Sequence, residues 1–268
     1  MKLLISIKKK TQAIVHGRTR AVFLHTQKTA GSTIIKLARL HYGQDMMSHG
    51  EYVGKSRNEL DDISFVSGHF GYDYASPLIK SRYSFTFLRN PVDRVLSFYF
   101  FGRHRKPGQY PINQLCHELS LEEFLRAGLK NSLVKQYIWN HQTWQLACGW
   151  GDPEAVFSEK DLLSHAISQL AQYSEQKLLA DAISHLDHFS HVGFTETFEQ
   201  DRDIILARLR LPAQQGKLVE NITPNRPDRY ILSASEQTLI KELTRLDQAL
   251  YQKAWEKYHP NQKLPAPK

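Results

Sequence analysis

Ala21-Val22-Phe23-Leu24-His25-Thr26-Gln27-Lys28-Thr29-Ala30-Gly31-Ser32-Thr33-Ile34-Ile35 divides into three parts. Ala21 to His25 is a short apolar run of the kind buried in a parallel sheet. Thr26 to Thr33 is a small polar turn with one lysine and one glycine. From Ser32 the apolar residues Ile34, Ile35, Leu37 and Ala38 adopt a helical spacing. The pattern predicts strand, loop, helix, with Lys28 in the loop. Such a loop turns backbone N–H groups and a helix N-terminus toward one point, where an anion fits. Lys28 adds a mobile positive charge, and the hydroxyls of Thr29, Ser32 and Thr33 add donors. The loop is not a Walker A, which places its lysine directly after the last glycine. Here Lys28 precedes Gly31. An ordinary strand-to-helix turn with a surface lysine reads the same way this far.

A second stretch repeats the plan: Tyr83-Ser84-Phe85-Thr86-Phe87-Leu88-Arg89-Asn90-Pro91-Val92-Asp93-Arg94-Val95-Leu96-Ser97-Phe98-Tyr99. Asn90 is a good N-cap, Pro91 suits the first helical position, and Asp93 sits in the first turn. Arg89 is expected as the last strand residue, at the carboxyl edge of the sheet. Ser97 lies two turns into the helix. Arg89, Asp93 and Ser97 do not all share a buried apolar stripe, so their polar groups are expected to be available.

Together the two stretches resemble the sulfotransferases that use 3′-phosphoadenosine 5′-phosphosulfate (PAPS). In that family K-T-x-G-[ST]-T after the first strand holds the 5′-phosphosulfate, and R-[DN]-P-x-x-R-x-x-S holds the 3′-phosphate. His25 to Thr33 looks most like the loop of the carbohydrate branch, including the heparan sulfate 2-O- and 6-O-sulfotransferases. The resemblance implies an α/β fold: a P-loop-like three-layer sandwich with a central parallel sheet flanked by helices, plus a helical insertion. It assigns the nucleotide to Lys28, Thr29, Ala30, Gly31, Ser32, Thr33, Arg89 and Ser97. No metal is required by these residues.

Three further places bear on chemistry. Ser67-Gly68-His69-Phe70-Gly71-Tyr72 follows a second expected strand, Ile63 to Ser67. A histidine there can take a proton from an attacking hydroxyl near neutral pH. The heparan sulfate enzymes have a proposed histidine base after this strand, and His69 matches it. With 13 histidines in the chain a chance match is easy, and a lone histidine is more often structural; His25 and His104 are weaker competitors. Val192-Gly193-Phe194-Thr195-Glu196 resembles the family's late V-G-x-T-E strand end, which brings Thr195 toward the nucleotide. Glu196 reads equally well as a charge at a helix N-terminus. Asn221-Ile222-Thr223-Pro224-Asn225-Arg226 lies where the family often has a basic loop, and Arg226 is the residue it offers to the phosphates.

At 268 residues the chain suits one sulfotransferase domain over residues 1–268. Its core is expected at about 20–104 and 189–258, with a helical insertion or cap at about 105–188. In that insertion Ser120-Leu121-Glu122-Glu123 reads as a capping box, a longer helix is expected over 131–147, and Ser158 opens another. Residues 43–60 show little period. Ser233-Ala234-Ser235-Glu236 is a second capping box, opening a long helix with Leu239, Leu243, Leu246, Leu250 and Ala254 on one face. The Lys263–Lys268 tail is expected to fray.

The formal net charge is +8 and the pI about 9.3. Anionic partners are favoured. No zinc spacing or RNA-binding aromatic signature points to nucleic acid. The only cysteines, Cys116 and Cys148, imply neither a disulfide framework nor a zinc site. Met1 to Ile7 is too short for a signal peptide core or a membrane span. The expectation is a soluble, cytoplasmic, bacterial counterpart of a Golgi family. Its partner would be a hydroxylated acceptor, with glycan the family's choice and lipid or small metabolite open. The mechanism implied is in-line sulfuryl transfer, with adenosine 3′,5′-bisphosphate (PAP) leaving. Two other classes remain: a P-loop-type kinase, disfavoured by the missing Walker lysine, and a non-catalytic nucleotide- or polyanion-binding protein.

Overall fold

The computed structural model describes residues 18–55, 57–149, 172–212 and 230–267. Its strands are β1 (Ala21–Leu24), β2 (Met46–Met47), β3 (Phe65–Gly68), β4 (Tyr83–Leu88) and β5 (His191–Phe194). They form one sheet in the order β2-β3-β1-β4-β5, and every pair is parallel. β1 is central, with Phe23 opposite Ser67 of β3 and Phe85 of β4. All four of its residues are buried, as a strand covered on both faces requires. Val22 and Leu24 enter one core; Ala21 and Phe23 enter the other. Burial of a ring such as Phe23 stabilises by roughly 1.5–3 kcal/mol.

Helices complete three layers. In chain order they are α1 (Gly31–Tyr42), α2 (Arg57–Asp61), α3 (Tyr72–Ile79), α4 (Pro91–His104), α5 (Pro111–Glu118), α6 (Leu121–Lys130), α7 (Ser132–Ile138), α8 (His141–Ala147), α9 (Glu175–His185), α10 (Phe198–Leu209), α11 (Ala234–Leu243) and α12 (Arg245–Tyr258). On one face α1 and α10 cover Phe23, Phe85 and Phe87 with Ile34, Ile35, Ala38, Ile205 and Leu206. On the other, α3, α8, α9 and α12 cover Val22, Leu88 and Phe194. A third cluster joins α4 to α5, α6, α7 and α11 around Phe98, Phe124 and Leu243. Both expected capping boxes form, at Ser120 with Glu123 and at Ser233 with Glu236.

Several expectations are corrected. Residues 43–60 hold a two-residue edge strand and most of a short helix, too brief for any periodicity to register. α3 follows Gly71 directly. A Cβ on Gly71 would lie 2.1 Å from the Gly149 Cα, so glycine is needed where these two backbones meet. The helix expected over 131–147 is two, α7 and α8, and the one expected after Ser233 is two, α11 and α12. The two breaks are one event. Asn140, with φ of 42°, donates its backbone N–H to Leu243 O at 2.7 Å. Its Oδ1 accepts from Leu246 N at 2.8 Å and Asp247 N at 3.3 Å, capping α12. Asp247 returns the favour to α8, accepting from Thr143 N and Thr143 Oγ1, each at 2.8 Å, and from Gln142 N at 3.3 Å. Orphan N–H groups of two helix starts are thus satisfied across 104 to 107 residues of sequence. The tail does not fray at its start: Pro265 O accepts from Asn90 Nδ2 at 3.4 Å. Ser158, Arg226 and the segment Asn221 to Arg226 lie outside the described residues.

Candidate active site

The carboxyl ends of β1, β3 and β4 adjoin, so the loops after them open on one edge. The sheet order reverses about β1, the place where parallel α/β sheets bind ligands.

The β1 loop is wound by two left-handed residues, Lys28 at φ 70° and Ala30 at φ 63°. Neither is glycine, and each costs about 1–2 kcal/mol in that conformation. Alternating hands curl a backbone into a concavity of N–H groups that suits an anion. Gly31 opens α1. A Cβ there would come within 2.4 Å of His25 Nε2 and 2.8 Å of the Phe23 ring, so the loop lies directly over His25. Thr29 is buried and donates its hydroxyl to Thr26 O at 2.7 Å. The expected hydroxyl donor at Thr29 is therefore committed inside the loop. Thr33 is buried, while Ser32 is half-buried and lines a cleft with Lys36, Arg39, Ser48, His49 and Glu51.

The β4 turn meets this loop. Arg89, one residue past β4, donates from Nη1 to Lys28 O at 3.0 Å. Asn90 caps α4, accepting from Val92 N at 3.1 Å, and Pro91 is the first helical residue, as expected. Asp93 and Ser97, expected with available polar groups, are both buried. Lys28 Nζ lies 3.6 Å from the centre of the Phe101 ring, and the Arg105 guanidinium lies 4.6 Å from the same ring. Thr195 donates to Leu88 O at 3.3 Å, and Glu196 accepts from Asn90 N at 2.8 Å. Glu196 therefore braces the β4 turn.

His69 follows β3 and is half-buried. Its Nδ1 is 2.8 Å from His25 O. A carbonyl only accepts, so Nδ1 carries the proton and Nε2 carries the lone pair. Burial lowers its pKa to about 4; the His25 hydrogen bond works upward, and His49 and Lys28 push further down. His25 is held well below 6.5, first by burial and then by His69, His49 and Lys28. His104, at the end of α4, is exposed. Cys116 and Cys148 are free and buried, which lifts both thiols to about 12.

A sequence profile of the sulfotransferase family matches residues 11–261. The chain belongs to that family. No curated protein matches it closely enough to count as a relative. Sulfotransferases generally take PAPS as donor and release PAP, and the reaction implies a hydroxylated acceptor. Among the described residues no helix is long and apolar enough to cross a membrane.

This sulfotransferase fold also uses residues that the motifs do not mark. Gln142 of α8 accepts from Arg89 N at 2.9 Å and donates to Arg89 O at 3.0 Å, fixing the backbone on which the guanidinium is mounted. One turn on, Gln145 donates to Phe70 O at 2.8 Å and His25 O at 3.4 Å, which ties the β3 loop to the β1 loop. α8 thus presents two glutamines, three positions apart, to three loops at once. A buried glutamine pair in a helix was the available signal, but nothing in the spacing says which loops it meets. His49 was missed too; it joins His25 and His69 from the loop after β2.

Proposed function

We propose that this sulfotransferase moves the sulfuryl group of PAPS to an acceptor hydroxyl on a carbohydrate or glycoconjugate, with His69 as base. One observation carries the reading: the strained Lys28 loop, Arg89 bonded to that loop's backbone, and His69 with an assigned lone pair on Nε2 share one sheet edge. The Lys28-to-Thr33 loop would take the 5′-phosphosulfate, because its left-handed residues Lys28 and Ala30 curl the backbone into a concavity of the kind that suits an anion, at the start of α1. Arg89 and Ser97 would take the 3′-phosphate, Arg89 through charge-assisted hydrogen bonds, with Thr195 beside them. Arg226 remains a proposal from sequence.

In the reaction the acceptor oxygen bonds to sulfur as the bond between sulfur and the bridging phosphate oxygen breaks. The hydroxyl proton passes to His69 Nε2, and PAP leaves with the electron pair. Lys28 would neutralise the bridging oxygen as its charge grows. With no covalent intermediate required, the protein's task is positioning and charge stabilisation. A base held at about 4 stays unprotonated, and so ready, across the neutral range. Its weak basicity fits a step in which proton transfer accompanies a bond already forming.

The test is transfer of labelled sulfate from PAPS to a panel of glycan, lipid and small hydroxylated acceptors. Label on glycan is expected. PAP binding without transfer to any acceptor would favour a nucleotide-binding protein, and phosphate transfer from ATP would favour the kinase.

A further inference from the structure

His25, His49 and His69 come from three separate segments and meet beside the β1 loop. Their ring centroids are 4.7 Å apart for His25 and His69, 6.0 Å for His25 and His49, and 5.6 Å for His49 and His69. One nitrogen from each ring lies within 4.8 Å of the other two. We propose that these three imidazoles form a binding site for a borderline divalent transition metal, Zn2+ being the natural occupant.

The surroundings of the rings support a metal over a chance cluster. A metal-ligating histidine almost always gives its second nitrogen to a carbonyl, carboxylate or other outer partner, which fixes the ring. His69 does this with His25 O at 2.8 Å. His49 has a partner of the same kind, with Nδ1 3.2 Å from Ser48 Oγ. His25 is nine-tenths buried, yet its Nδ1 has no hydrogen-bond partner among the described residues. That is an odd state for a packed ring and an ordinary one for a ring awaiting a ligand. Three imidazoles select zinc, copper or nickel over calcium or magnesium, and they leave a fourth position open. Nitrogens around a tetrahedral zinc sit about 3.3 Å apart, so the widest pair has about 1.5 Å to close. His49 is exposed, and rotation of its ring can supply that movement.

A consequence follows that rests on the function proposed above. Metal on His69 occupies the lone pair that would accept the acceptor's proton, so loading and turnover exclude each other.

The test uses the full chain stripped of metal with a chelator. Titration with Co2+ should give the visible d–d bands of a low-coordinate nitrogen site, and Zn2+ should bleach them. His49→Asn removes one ligand, and asparagine tolerates the left-handed backbone at φ 54°. Its Zn2+ affinity by calorimetry should be weaker by at least about tenfold, the scale seen for losing even an outer partner. Absence of Co2+ bands, or an unchanged affinity in folded His49→Asn, overturns the site. Sulfate transfer by the wild type should fall as Zn2+ binds and resist the same Zn2+ in His49→Asn. His49-dependent binding that leaves turnover untouched would instead remove His69 as the base and leave the metal site standing.

Discussion

The loop from Thr26 to Thr33 and the junction of Asn140 with Asp247 are built on opposite terms. The loop bonds to itself over a few residues, as in Thr29 to Thr26, and holds two non-glycine residues in left-handed geometry. The junction joins segments more than 100 residues apart, and its capping bonds run in both directions. Strain at the loop persists only because its surroundings hold it, and such strain gathers where a ligand is bound. The junction carries the load of holding those surroundings, through Gln142 on Arg89 and Gln145 on the His25 and Phe70 carbonyls. On the function proposed above, one region serves binding and the other support, so substitutions in the two should separate activity from stability.

The largest effect is expected at the edge the loop serves. His69→Ala should lower turnover by roughly 10²–10⁴ while leaving PAP affinity and the urea midpoint close to wild type. A fall in midpoint matching that of a junction variant would erase the distinction and make His69 structural. Next comes the junction itself. Asp247→Ala strands Gln142 N, Thr143 N and Thr143 Oγ1 and removes the counter-charge near buried Arg94. The loss should be about 3 kcal/mol in urea unfolding, from a lost cap and buried donors left unpaired. A change under about 1 kcal/mol would mean that α8 is held by packing alone.

Arg89→Ala should sharpen the contrast from the binding side. Its guanidinium would supply a charge-assisted contact worth roughly 1.5–3 kcal/mol, so PAP affinity should fall about tenfold or more by calorimetry. Binding of 5′-AMP, which lacks the 3′-phosphate, should barely change, and equal losses for both would deny Arg89 that role. The smallest effect concerns pH. His141, next to Asn140, is buried and held well below 6.5, chiefly by burial and then by Arg94. Its folded pKa is depressed, so the unfolded chain takes up a proton first. Its contribution to stability is complete above about pH 6.5 and is lost as the pH falls below that. Urea midpoints should therefore decline on acidification, and His141→Gln should flatten part of that decline, with His25, His69, His49, His41 and His185 acting in the same direction.

The sequence by itself determined the two strand–turn–helix units, because their cues are local. An apolar run, an N-cap and a proline at the first helical position decide a boundary within a few residues, and α4 spans Pro91–His104 as those cues require. The capping boxes at Ser120 and Ser233 are equally local. Tertiary structure alone decided the rest. Met46–Met47 is a strand only because β3 lies beside it. Asn140 and Thr244 end helices whose apolar spacing continues through them, since side-chain caps from the opposite segment are worth more than unbroken helix. His25, His49 and His69 share no spacing at all; they meet because adjacent parallel strands deliver their carboxyl ends to the same edge. Periodicity reports what a residue does within its own turn or strand, and these contacts are made by segments that only the sheet order brings together.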